Sequence, residues 1–440
     1  MSKPYARIAD RIARRIASGE LPLGARLPPQ RRFAFEEGIA VSTASRVYEE
    51  LRRRGLVVGE VGRGTFVASR FAPLDPALQE PKADGLDLEI VFRLGSEARA
   101  QISASTSRFT RSGLPADAVA PPSAQGHPSV RRSLAALLST RSTAVDPESL
   151  LLAGSGKEAI LAALSAIAPR GGRIAVETLT YPFIVSAARL LGIELVPLAV
   201  DDEGVVPDAL ERAAVKGLSG VYLQPTLQSP LVLTMSQNRR RAIAEIITRN
   251  ELVGVEDRVY SFLRNATPLA SYAPNHIVQV DSLSKRMMPG LSVGILAVPP
   301  RLLADVALSL RAGGWLAPSL GVALAGHWID EGVVETVQEA KRQEAAAMYA
   351  VVKETWRGLE FRAAKDALHG WLMLPRGWRA DDFVAASAEL GIAVAPGRAF
   401  AVTPGSAPAG VRIAFSTPDL GTWRFALEEL CGVAQRSPPR

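Results

Sequence analysis

Three side chains in the second half of the chain form a set suited to carbonyl chemistry. Lys285, in VDSLSKRMMPGLSVG, follows two serines, Ser282 and Ser284, and precedes a Pro-Gly turn. Asp257 and Tyr260, in VEDRVY, close an apolar run that comes earlier in the chain. An amine, a buried carboxylate and a phenol in this arrangement suit pyridoxal 5'-phosphate. The amine forms a Schiff base, the carboxylate keeps the pyridine nitrogen protonated, and the phenol bonds the ring hydroxyl. A second feature, the first 70 residues, has no place in an enzyme of that kind.

The elements that position these groups need a large scaffold. A chain of 440 residues, 48% of them hydrophobic, predicts about two or three domains with a sizeable core. One cysteine, Cys431, excludes a disulfide framework and a cysteine-based metal site, and four scattered histidines do not restore a metal reading. No apolar run approaches a membrane span, and the N-terminus, MSKPYARIAD, lacks the apolar core of a signal peptide. These features predict a soluble, cytoplasmic protein with no membrane partner. The charge is unevenly placed. Residues 1–70 hold 14 Lys and Arg against 7 Asp and Glu, which is the whole net charge of +7, and residues 71–440 hold 37 of each. An excess confined to one segment predicts a polyanion partner for that segment, with a basic solvated surface as the alternative.

Within that segment, Ile8, Ile12 and Ile16 recur at helical spacing with arginines on the other face. QRRFAFEEG predicts a second helix ending at Gly38, and VSTASRVYEELRRRG a third, capped by Ser42 or Thr43. LVVGEVGRGTFVA alternates as two strands around Gly62, Arg63 and Gly64. Helix, helix–turn–helix and hairpin make a winged helix, whose third helix would enter the major groove of operator DNA. Ser42, Thr43, Ser45 and Arg46 at its start can reach bases and phosphates, and Arg63 at the wing tip a phosphate or the minor groove. The pieces IASGELPLGARLPPQRRFA, VSTASRVYEELRRRGLV and VGRGTFV closely resemble the winged-helix domain of GntR-type regulators. That resemblance implies DNA contacts by Arg31, Thr43, Ser45 and Arg46. It leaves open a winged helix used only for protein contacts.

Residues 70–87 are rich in Pro, Ala and charge and predict a linker after a 1–69 head. Beyond it, helical patterns (GKEAILAALSAIAP, PFIVSAARLLG, NRRRAIAEIITRN) alternate with strand patterns (RIAVE, IELVPLAV, GVYLQ, LVGVED, HIVQVDS, VGILAVP). The alternation predicts an α/β fold with a mostly parallel sheet and helices on both faces over 88–330, followed by a smaller α+β domain over 331–440. The region resembles the fold-type I aminotransferases. Head and body together resemble the MocR subgroup of GntR regulators, in which an aminotransferase-like domain senses pyridoxal phosphate or a small amino compound.

The resemblance implies further roles. Ser155, Gly156 and Lys157 open a helix whose N-terminus suits a phosphate. Tyr181 matches the residue that stacks on the pyridine ring, and Arg412, in VRIAFS, the arginine that grips an effector carboxylate. Two positions depart from the family pattern. Ser229, in QPTLQSP, stands where an asparagine normally serves the ring hydroxyl, and Ser292 where an arginine normally binds the phosphate. In addition, no tyrosine stands just before Gly126, where the family's partner subunit usually sends one to the phosphate. Together these departures predict a weaker phosphate grip and altered electronics for transamination. Three readings follow: a homodimeric, cofactor-holding transcriptional regulator; a working aminotransferase with a vestigial head; or a regulator that has lost the cofactor and senses something else.

Overall fold

The computed structural model describes residues 4–17, 20–22, 25–53, 56–60, 64–67, 85–92, 94–111, 113–140, 143–356, 358–403 and 405–436, and it forms two compact units, Met1–Gln79 and Glu80–Arg440.

In the first unit, α1 (Pro4–Ala17) buries Ile12 and half-buries Ile8 and Ile16, as their spacing predicts. A short strand, β1 (Arg26–Leu27), leads to α2 (Gln30–Glu36), which stops before Gly38, whose φ of +63° needs the freedom of glycine. α3 (Val41–Arg53) starts earlier than expected. The Ala40 carbonyl accepts from the N–H groups of Thr43 (2.9 Å) and Ala44 (3.0 Å), so Ser42 and Thr43 lie in the first turn and do not cap it. β2 (Val57–Glu60) and β3 (Gly64–Val67) pair antiparallel as the predicted hairpin. β1, which the sequence pattern did not reveal, adds a third strand by pairing with Thr65 and Phe66. Ile12, Leu27, Phe33, Val47, Tyr48 and Leu51 are among the residues that form the core. Tyr48 meets the Phe33 ring edge-on at 5.1 Å and donates its hydroxyl to the Pro28 carbonyl at 2.5 Å.

The second unit opens with β4 (Leu86–Asp87), α4 (Ser96–Arg111) and α5 (Pro128–Leu138). It continues through β5 (Leu150–Ala153), α6 (Gly156–Ile167), β6 (Arg173–Glu177), α7 (Pro182–Leu191), β7 (Glu194–Leu198), the hairpin of β8 (Val200–Asp201) and β9 (Gly204–Val205), and α8 (Pro207–Val215). Next come β10 (Gly220–Leu223), α9 (Gln237–Arg249), β11 (Val253–Asp257), β12 (Ile277–Ser282), α10 (Leu283–Arg286), β13 (Gly294–Ala297), α11 (Leu303–Ala312) and α12 (Ser319–Asp330). Seven strands form one sheet in the order β5-β13-β12-β11-β10-β6-β7, in which only the two pairings of β13 are antiparallel. The continuously buried strands β5, β10 and β11 are what a covered parallel sheet requires. One core packs α8 and α9 against β6 and β10, and another packs α5 and α12 against β5 and β13.

α13 (Val333–Thr355) begins among Met287 and Trp328 and ends in a separate core with Trp423 and Leu427. That second core lies under a four-stranded antiparallel sheet built from β14 (Phe361–Arg362), β15 (His369–Met373) and, after α14 (Ala380–Glu389) and β16 (Ile392–Ala393), β17 (Ala395–Pro396) and β18 (Gly410–Ala414). α15 (Leu420–Gln435) closes it. β4 pairs in parallel with β16, so the expected junction of linker and large domain at 87/88 falls inside a segment held by the smaller lobe. No helix among the described residues is long and apolar enough to cross a membrane.

Candidate functional site

In a parallel sheet, loops at the carboxyl ends of the strands converge, and ligands bind there. Ser155 follows β5, Tyr181 follows β6, Gln224 follows β10, Asp257 ends β11, and Ser282 ends β12 just before Lys285. The structure therefore gathers side chains that are far apart in sequence.

Ser155 caps α6 by accepting from the Glu158 N–H at 3.2 Å, which leaves the N–H groups of the first turn directed out of the helix. Gly294 in β13 lets this loop approach, since a Cβ there would come within 2.2 Å of the Ser155 carbonyl oxygen. A Cβ on Gly156 would lie 3.0 Å from that of Ser282, so the α6 terminus and the end of β12 are neighbours. Ser282 donates to the Ser284 hydroxyl at 3.0 Å, and Ser284 and Ser292 share a hydrogen bond of 2.7 Å. Lys157 places its ammonium 5.5 Å from the centre of the Phe183 ring.

Asp257 is buried. It accepts from the Tyr222 hydroxyl at 2.5 Å, the Gln224 amide at 3.0 Å and the Val259 N–H at 3.1 Å. All three donors are neutral. Burial pushes the Asp257 carboxyl upward against the pull of these bonds. A cation facing it would restore the carboxylate form. Burial likewise lowers Lys285 to about 7, helped by the positive charges of Arg412, Lys341 and Lys157 and opposed by Asp257. Its Nζ donates to the Val91 carbonyl at 2.6 Å. Tyr260 is buried with its phenol pushed up to about 12, chiefly by desolvation, while nearby Arg412 acts in the opposite direction. Arg412, on β18, donates to the Ser229 hydroxyl at 3.1 Å and to the Glu89 carbonyl, and lies over the Phe400 ring at 4.8 Å. Tyr181, at the start of α7, lies near Arg412 and Tyr222.

In the head, Arg31, Ser42 and Arg46 are exposed and Thr43 is half-buried. Ser45 is turned inward and donates to the Gln30 side chain at 2.7 Å, tying α3 to α2. A phosphate contact by Ser45 would require breaking that bond. Gly62 and Arg63 lie outside the described residues. Gly64 starts β3 at a φ of +122° beside the Arg26 side chain.

Family profiles match both units. The bacterial regulatory proteins of the gntR family match residues 4–67, and the aminotransferase class I and II family matches residues 118–430. The chain belongs to the aminotransferase class I and II family and carries a GntR head. Relatives align over nearly the whole chain. The uncharacterized HTH-type transcriptional regulator YdeF of Bacillus subtilis (strain 168) is 28% identical over 94% of this chain and 90% of its own length. The vitamin B6 salvage pathway transcriptional repressor PtsJ of Salmonella typhimurium is 27% identical over 93% and 94%. This chain is a MocR-type regulator. The fold matches the crystal structure of an archaeal alanine:glyoxylate aminotransferase with a TM-score of 0.74 at 22% identity, covering 87% of this chain and 97% of that one.

Several residues of the MocR-type site were not anticipated from the sequence. Tyr222, on β10, and Gln224, just past its end, both reach Asp257, since residues two apart in extended chain share a face, a signal present in GVYLQ. His369 packs 5.4 Å from the Tyr260 ring, with its Nε2 on the Gln228 carbonyl at 3.3 Å and its pKa lowered to about 3, mainly by burial. Lys341 on α13 donates to the carbonyls of Lys285 and Met287, each at 2.8 Å. It thereby holds the short turn that carries Lys285.

Proposed function

We propose that this transcriptional regulator senses pyridoxal 5'-phosphate, or a small amino compound that reacts with it, through a Schiff base at Lys285. The donor set fits that group. The N-terminus of α6 at Ser155, Gly156 and Lys157 would hold the phosphate with the hydroxyls of Ser282, Ser284 and Ser292. Tyr181 would stack on the ring, Asp257 would take the pyridine N–H, and Tyr260, with Ser229 nearby, would serve the ring hydroxyl. When bound, the group supplies an aldehyde carbon for an amine to attack. Arg412 would grip the carboxylate of an amino effector.

The observation that carries this reading is the placement of Lys285. Its amine is half-buried, and desolvation with nearby positive charge lowers its pKa to about 7, so a large share is neutral, and therefore nucleophilic, near neutral pH. Asp257 lies close enough for its charge to act on it. Asp257 in turn takes its hydrogen bonds from neutral donors, and a pyridinium is the cation that suits it. The relative PtsJ is a repressor of a vitamin B6 salvage pathway, which supports a cofactor of this class. The head would bind operator DNA in the cytoplasm, and a homodimer would present two heads to two half-sites.

The test is the visible absorption of the purified protein with pyridoxal phosphate, before and after borohydride, in the wild type and Lys285→Ala. A band in the wild type that borohydride locks onto Lys285, and that Lys285→Ala lacks, is the expected result. No band at saturating cofactor would leave a repurposed pocket, in line with the serines at 229 and 292. Turnover of an amino acid with a keto acid would favour an aminotransferase.

A further inference from the structure

The segment Gly85–Phe92 is the first described structure after the head's last strand. Its β4 pairs only with β16, outside the seven- and four-stranded sheets, yet the segment touches both of the cations assigned to ligand binding. The Val91 carbonyl accepts from Lys285 Nζ at 2.6 Å, and the Glu89 carbonyl accepts from Arg412. The start of the same segment is tied to the smaller lobe by backbone bonds. Leu86 N–H donates to Gly391 at 2.8 Å, Leu88 N–H to Ala393 at 2.9 Å, and Ala414 N–H to the Leu88 carbonyl at 2.9 Å. Its entry is fitted to glycine, since Gly85 has a φ of +85° and a Cβ there would lie 2.5 Å from the Gly391 carbonyl oxygen.

From this arrangement we infer that Gly85–Phe92 is a strap that competes with ligand for Lys285 and Arg412, so that ligand binding loosens the stretch of chain leading to the DNA-binding head. The inference rests on the function proposed above and supplies its regulation. Condensation of the Lys285 amine with an aldehyde forms a carbon–nitrogen double bond and expels water. Both hydrogens of the neutral amine leave with the carbonyl oxygen. The nitrogen then no longer donates to Val91 as it does here, and the Val91 carbonyl, in a residue only 3% exposed, loses its partner. A carboxylate on Arg412 takes the guanidinium edge that now holds Glu89. Each ligand event therefore removes one tether from the same short segment. By linkage, whatever holds the strap down weakens ligand binding, and whatever lifts it strengthens binding.

The test uses the full-length protein. Amide hydrogen exchange of residues 85–92 is measured with no addition, with pyridoxal phosphate, and with pyridoxal phosphate plus glycine as the simplest amine-carboxylate probe. Gly85→Ala, which contacts neither cation, is compared with the wild type for cofactor affinity and for binding to a selected DNA fragment. Cofactor should speed exchange at Leu86 and Leu88 several-fold. Gly85→Ala should bind cofactor several-fold more tightly, and its DNA affinity should respond to cofactor less than that of the wild type. If Lys285 is trapped by borohydride while exchange over 85–92 stays unchanged and Gly85→Ala behaves as wild type, the strap is overturned and the cofactor reading stands. If Lys285 is not trapped at all, both fall. A misfolded Gly85→Ala leaves the exchange comparison in the wild type to decide.

Discussion

The two units carry their positive charge in opposite ways. In the head, Arg31 and Arg46 stand in water, and the whole net charge of the chain lies in residues 1–70. In the body the charges balance, yet Arg286, Lys341 and Arg412 are withdrawn from solvent and Lys285 is half-buried, and desolvation lowers the pKa of Lys285, Lys341 and Arg412. A solvated cation keeps its charge at any physiological pH and attracts a polyanion over a distance. A desolvated one is costly to keep charged and gains most from a ligand that matches it closely. One unit is built for long-range, salt-sensitive attraction and the other for short-range chemical discrimination.

Breaking ion pairs in the two units should expose this difference most strongly. Arg286 and Asp281 are 4% and 2% exposed and are paired through two bonds, of 3.0 and 2.5 Å. Asp281→Ala leaves the guanidinium buried without its partner and should destabilise the body by about 3–5 kcal/mol in denaturant unfolding. Loss below about 1 kcal/mol would mean that water reaches Arg286. Next in size, Arg46→Ala should weaken DNA binding by about 1–3 kcal/mol without changing cofactor spectra. An unchanged affinity in a binding titration would remove the first turns of α3 from the interface. A third effect depends on pH. The neutral fraction of Lys285 rises with pH, so the initial rate of borohydride-trapped adduct formation should climb through about pH 7 and then level off. The same depressed pKa makes this residue's contribution to stability fall as the pH drops from 10.5 towards about 7, because the unfolded lysine takes up its proton first. A rate still rising at pH 9 would show an amine more solvated than its position implies. Smallest of all, Glu36→Gln breaks the exposed Arg32–Glu36 pair on α2 and should change the melting of the head by less than about 1 kcal/mol.

The same contrast governs what could be read from the sequence. Head residues lie on helices whose own periodicity shows which face is buried, so Ile12, Val47 and Leu51 were legible. β1 was not, because two residues carry no period. In the body, the strands and helices that showed clear alternation were found, whereas α4, with four buried residues on a mostly polar 16-residue helix, gave too weak a stripe. Lys285, Asp257 and Tyr260 could be singled out by their residue types and Tyr181 and Arg412 through the family resemblance. Tyr222, His369 and Lys341 were not, because their roles come from tertiary approach: a phenol aimed at a carboxylate one strand away, an imidazole laid on a ring from the other lobe, and an ammonium from α13 on the carbonyls of the Lys285 turn. The inward turn of Ser45 towards Gln30 also depends on how two helices meet, which spacing within α3 does not show.

The hydroxyl pair of Ser284 and Ser292 has a consequence for what such a protein can report. A receptor that holds its ligand too tightly stays full at every concentration the cell visits and carries no information about supply. If the proposed phosphate sits at that corner, a serine hydroxyl in place of a guanidinium would lower the grip on the dianion and move half-saturation towards higher free concentrations. Restoring an arginine at 292 would then yield a better binder and a worse gauge.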